Sequence, residues 1–176
     1  MEPHILDPKL VQQLFEFAHD AHTNHNVRGE DHIIRRGIYP YIIHPMWAAS
    51  TLIMDPDISI EERILGFQIL MLHDILEDTS ASLPAWVSQE VQDGVRRLSH
   101  ESWEQELIDI ASYTPFFKLL KLCDKIQTLY ERGVVLPEKR PRWKQLVQEL
   151  ASDVEAQYGT TRVGTIANAL VEHTDW

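Results

Sequence analysis

The chain has a single cysteine, Cys123, so no intrachain disulfide can form, and a reducing cytoplasm is the expected setting. It has no apolar run long enough to cross a bilayer. Its opening residues, MEPHILDPKL, lack a basic stretch followed by an apolar one, so neither a signal peptide nor a membrane partner is expected. Basic residues are scarce. Sixteen Lys and Arg stand against 27 Asp and Glu, a net charge of −11, which excludes broad nucleic-acid binding because that needs a basic footprint. A polyanionic small molecule remains possible if a metal ion or a local basic cluster receives it. Strand-like alternation is weak everywhere, and internal repeats, low-complexity tracts and linkers are missing.

What is present suits one all-α domain over residues 1–176, with a length sufficient for a substantial core. Asp7-Pro8 reads as a helix cap and first helical residue, with Leu10, Leu14, Ala18 and Ala21 following at helical spacing. Residues 24–40, with Gly29, Gly37 and Pro40, read as a loop. A short helix opens at HPMWAASTLIM. Ser59 and Glu62 form a capping box ahead of the apolar helix RILGFQILMLHDI, and Ser102 with Gln105 repeats the pattern. Val87, Val91, Val95 and Leu98 mark a further helix. Thr114-Pro115 starts FFKLLKLCDKIQTLY, which ends before Gly133, and two more helices are expected over 141–157 and 161–173. Trp47, Trp86, Trp103 and Trp143 fall at apolar helical positions and read as core.

The chemistry is concentrated in LHDILEDT, residues 72–79, where His73, Asp74, Glu77 and Asp78 emerge from an apolar run. A buried helix has no use for three carboxylates and an imidazole unless something stabilises their charge, and a cation does so. On a helix His73 and Asp74 lie about 100° apart and can lean toward one point. Two ligands hold a divalent ion poorly. His44, at a loop-to-helix junction in YIIHP, and Asp124, an acid inside the apolar helix KLLKLCDKIQTL, are the candidates to complete the set. Two His and two Asp suit Mn, Fe or Zn, and leave a position for an activated water that can attack phosphorus. A His-Asp pair alone carries little weight: His19-Asp20 lies on an amphipathic helix without matching acids and reads as surface, or as support behind a site rather than part of it. Lys118, Lys121 and Lys125 form a stripe beside Asp124, and Arg35 and Arg36 precede His44. These cations could receive a pyrophosphate.

YIIHP, LHDILEDT and LLKLCDK, in that order, resemble the signatures of HD-superfamily metal phosphohydrolases. The resemblance is greatest to the hydrolase domain of RelA/SpoT-type proteins and to small alarmone hydrolases of the metazoan SpoT-homologue kind. It runs over about residues 10–130, leaving a helical C-terminal extension over 139–176, and VQDGVRRLSHESW falls where that group has a valine-rich helix. The resemblance implies a compact HD-domain helical bundle in which His44, His73, Asp74 and Asp124 bind Mn²⁺. It implies that Glu77 and Asp78 activate and position the attacking water, and that Arg28 in HNVRGE matches a substrate-binding arginine. Thr128 stands where the family commonly has a nucleotide-contacting asparagine, and with Lys121 and Lys125 it is expected at the substrate. The implied reaction removes the 3′-pyrophosphate of guanosine tetra- or pentaphosphate. The alternatives are a general phosphohydrolase of nucleoside 5′-phosphates or deoxynucleotides, and a non-catalytic nucleotide-binding module. The remaining residues leave no room for a nucleotide-synthesising domain, so hydrolysis alone is expected.

Overall fold

The computed structural model describes residues 6–29, 33–35, 38–131 and 135–173. Arg36, Gly37 and Gly133, and the side chain of Arg35, lie outside the described residues. The fold is all-α. Helix α1 spans Pro8–Asn24, α2 Ile43–Ile53, α3 Ile60–Leu72, α4 Ile75–Asp78, α5 Gln89–Leu98, α6 Trp103–Ile110, α7 Pro115–Tyr130, α8 Arg140–Tyr158 and α9 Arg162–His173. Among the described residues no helix is long and apolar enough to cross a membrane.

Local chemistry sets the helix starts. The Asp7 carboxylate accepts from the Lys9 amide at 2.9 Å, with Pro8 opening α1. Ser59 caps α3 as expected, with the Glu62 amide donating to Ser59 Oγ at 3.2 Å, while the return bond comes from the hydroxyl rather than the Ser59 backbone N–H: Ser59 Oγ donates to Glu62 Oε2 at 2.8 Å. Ser102 Oγ accepts from the Gln105 amide at 3.2 Å and starts α6.

Helix α7 is the axis of the molecule. It packs against α2, α3, α8 and α9. Every residue from Leu119 to Leu129 is buried, including Lys121, Asp124, Lys125, Gln127 and Thr128. A helix enclosed on all sides must pair its polar side chains internally, because no water reaches them. The 139–176 segment supplies α8 and α9, both lying against α7. Gly66 lets α2, α3 and α7 approach: a Cβ there would stand 2.4 Å from Leu52 Cδ2 and 2.8 Å from Leu120 Cδ2.

Two features differ from the sequence reading. Within the expected loop, Ile34–Arg35 (β1) and Tyr39–Pro40 (β2) pair antiparallel, Ile34 opposite Pro40. Two residues per strand are too few for alternation to register. The second difference is at RILGFQILMLHDI, which is broken between α3 and α4, with His73 and Asp74 at the joint. His73 Nδ1 lies 2.7 Å from the Leu70 carbonyl, which a continuing helix would offer to Asp74. The side chain thus competes with the backbone, and the helix turns at the two residues that carry the chemistry.

Candidate metal centre

Three elements converge. The first turn of α2 carries His44, the α3–α4 joint carries His73 and Asp74, and the middle of α7 carries Asp124; all four are buried. His44, His73 and Asp124 each present a ligand atom within 4.8 Å of the others'. His44 Nε2 stands 3.3 Å from Asp124 Oδ1 and 3.4 Å from Asp74 Oδ2. His73 Nε2 stands 3.1 Å from Asp74 Oδ1 and 3.7 Å from Asp124 Oδ1. The two oxygens of Asp74 therefore face different imidazoles.

The opposite edge of each ring is tied down. His73 Nδ1 donates to the Leu70 carbonyl, and His44 Nδ1 donates to Gln127 Oε1. Gln127 is fixed in turn, its amide donating to Glu131 Oε1 at 2.6 Å, and Tyr39 OH donates to the same oxygen. With both Nδ1 protons so engaged, each neutral ring turns the lone pair of Nε2 to the common point. That is the tautomer a metal requires. His73 Nε2 is buried without a hydrogen-bond partner among the described residues. An unpaired buried nitrogen between two carboxylates fits a bound cation, and His44, His73 and Asp124 form a group of two nitrogens and a carboxylate that could hold a divalent ion.

Charge is distributed to the same effect. Burial opposes a proton on His73, but Asp74 and Asp124 outweigh it and push its pKa up to about 9. Burial likewise opposes ionisation of Asp74, yet His73 and His44 bring its pKa down to about 2. Asp124 is held well below the usual carboxylate range because Lys125 and Lys121 outweigh its burial. A field that favours a proton on Nε2 also favours a metal ion there.

Lys121 and Lys125, expected at a phosphate, point inward. Their Nζ atoms lie 2.6 and 2.7 Å from Glu106 Oε1, and 3.5 and 3.1 Å from Asp124 Oδ2. Burial raises the Glu106 pKa, but the two lysines bring it down to about 2. Lys125 also stands 4.8 Å from the Trp143 ring and 5.7 Å from Trp103, two rings stacked 4.6 Å apart. Lys118 pairs instead with Asp153 at 2.6 Å. Thr128 Oγ1 donates to the Asp124 carbonyl of its own helix at 3.4 Å. Of the tryptophans read as core, Trp86 is 46% exposed and meets Phe17 edge-on. His19 and Asp20 are exposed, as a surface pair should be.

Glu77 and Asp78 diverge. Asp78 is buried and accepts from Arg28 Nε at 3.0 Å, so the arginine is brought to the HDxxED segment. Glu77 faces a cavity of about 480 Å³ that Arg28, Ser99, His100 and Glu101 also line. A second cavity of about 260 Å³ adjoins the same Glu77 and Arg28 and reaches Trp103 and Glu106. Glu106, through its two lysines, links that cavity to Asp124. Sequence reasoning missed Tyr41, whose hydroxyl donates to Asp74 Oδ2 at 2.9 Å, and also Gln127, Glu106 and His100. Gln127 follows Asp124 by three positions on one helix, a usable signal; Glu106 and His100 come from other elements and left none.

No family model matches this sequence, and no curated protein matches it. Among solved structures, it is similar to one described as a metazoan ortholog of SpoT that hydrolyzes ppGpp and plays a role in starvation responses. The TM-score is 0.69 at 19% sequence identity, over 94% of this chain and 95% of the other. The likeness spans almost the whole of both chains and establishes a shared helical fold.

Proposed function

We propose that this chain is a metal-dependent phosphohydrolase removing the 3′-pyrophosphate of guanosine tetra- or pentaphosphate, with one Mn²⁺ held by His44, His73, Asp74 and Asp124. The observation that carries the reading is the convergence of two imidazole Nε2 atoms, each oriented from behind, on two ionised carboxylates. The shared fold with a protein described as hydrolysing ppGpp supports the substrate. A divalent ion there would neutralise the carboxylates, acidify a water and polarise a phosphate oxygen. Glu77, three residues after Asp74 and on the cavity wall, takes the proton of the attacking water. Asp78 holds Arg28 through Nε, and the partly exposed guanidinium receives a phosphate.

One observation favours a second reading. Thr128 turns its hydroxyl onto its own helix, leaving the position where the resembled family reads the nucleotide without an outward group. A broader phosphohydrolase of nucleoside 5′-phosphates or deoxynucleotides is consistent with that. The manganese-loaded protein should therefore be offered guanosine tetraphosphate, nucleoside triphosphates and deoxynucleotides, with products separated by ion exchange. Release of pyrophosphate from the 3′ position alone is expected, and Glu77→Gln should lower it about 100-fold or more while retaining the metal. Efficient cleavage of deoxynucleotides with the alarmone untouched would overturn the substrate.

A further inference from the structure

We propose that His100 relays the proton taken up by Glu77, a role resting on the reading of Glu77 as base. His100 follows the end of α5, and its backbone N–H donates to Glu77 Oε1 at 2.7 Å. Its side chain is 5% exposed, and Nδ1 stands 3.7 Å from the same oxygen. Nδ1 is buried and has no hydrogen-bond partner among the described residues, although His100 lines both cavities beside Glu77.

The other edge of the ring explains why Nδ1 is free to accept. Tyr113 OH donates its only proton to the Arg97 carbonyl at 2.6 Å. Burial pushes the Tyr113 pKa up to about 12, so the hydroxyl keeps that proton. His100 Nε2 lies 2.8 Å from the Tyr113 oxygen and must donate to it. Neutral His100 is then the Nε2–H tautomer, with the Nδ1 lone pair turned toward Glu77. Asp109 Oδ2, 3.7 Å from Nε2, and Glu77 supply negative charge on either side for the imidazolium. Arg97, over the Tyr113 ring at 5.5 Å, and Arg28, on the walls of both cavities, are opposing charges.

The protons balance. An O–H bond of the attacking water breaks and its proton goes to Glu77, while the water oxygen forms the new bond to phosphorus. Glu77 passes the proton to His100 Nδ1 and regains its carboxylate. The Nδ1 proton then returns through Glu77 to the oxygen released when the old P–O bond breaks. His100 acts through Glu77, as a positioning and relay residue.

Two readouts test this. In ¹⁵N-histidine NMR of the metal-free protein, neutral His100 should be the Nε2–H tautomer; an Nδ1–H tautomer makes it a donor to Glu77 and ends the proposal. In manganese-loaded protein acting on guanosine tetraphosphate, His100→Ala should lower kcat about 100-fold at little change in KM, with metal content unchanged. Added imidazole should restore His100→Ala but not Glu77→Gln. His100→Gln keeps the backbone donor and a side-chain N–H but has no basic lone pair; it should lose as much kcat. This second variant decides the matter if the alanine variant fails to fold. Full turnover in His100→Gln beside an inactive Glu77→Gln overturns the relay alone. Full turnover in Glu77→Gln overturns the assignment of the base itself.

Discussion

At the residue scale the candidate metal centre depends on side chains that never reach the common point. Gln127 fixes the His44 tautomer, and Glu131 and Tyr39 fix Gln127. Gln127→Ala should leave His44 free to rotate, and manganese affinity, measured by calorimetric titration, should fall about 10- to 100-fold with the fold intact. Unchanged affinity would show that the ring is held by packing alone. The burial of His44, His73 and Asp124 in one group was legible in the sequence because imidazoles and acids inside apolar runs demand an explanation. The inward turn of Lys121 and Lys125 was not legible, because it is set by Glu106 on another helix. Helical spacing places a lysine on a face but does not say what that face meets.

At the element scale, α2, α3 and α7 must lie close enough for His44, His73 and Asp124 to meet, and Gly66 permits it. A methyl at Gly66 would drive into Leu52 and Leu120, both fully buried. Gly66→Ala should therefore cost about 1–3 kcal/mol in urea unfolding despite its better helix propensity. A stabilised variant would mean that the helices separate at no cost. Most helix starts were legible, since Asp7, Ser59 and Ser102 cap locally. The break at His73-Asp74 was not, because apolar periodicity continues straight through LMLHDIL while the His73 imidazole takes the Leu70 carbonyl.

At the scale of the whole molecule, the candidate centre joins the N-terminal, middle and C-terminal thirds of the chain through α2, the α3–α4 joint and α7, so an ion held there would link metal binding to folding. Manganese at 100 times its dissociation constant should add about 2.7 kcal/mol to stability. For a chain of this size that raises Tm by roughly 5–10 °C. Chelation should reverse the rise, as followed by circular dichroism at 222 nm; an unchanged Tm would place the ion outside the helix junction. The most direct measurement is a titration of the metal-free protein with Mn²⁺, beside Asp124→Ala. One ion per chain is expected for the wild type, with affinity weakened more than about 100-fold by loss of the α7 carboxylate. No saturable site, or equal binding by Asp124→Ala, would contradict a centre built where α2, α3 and α7 meet.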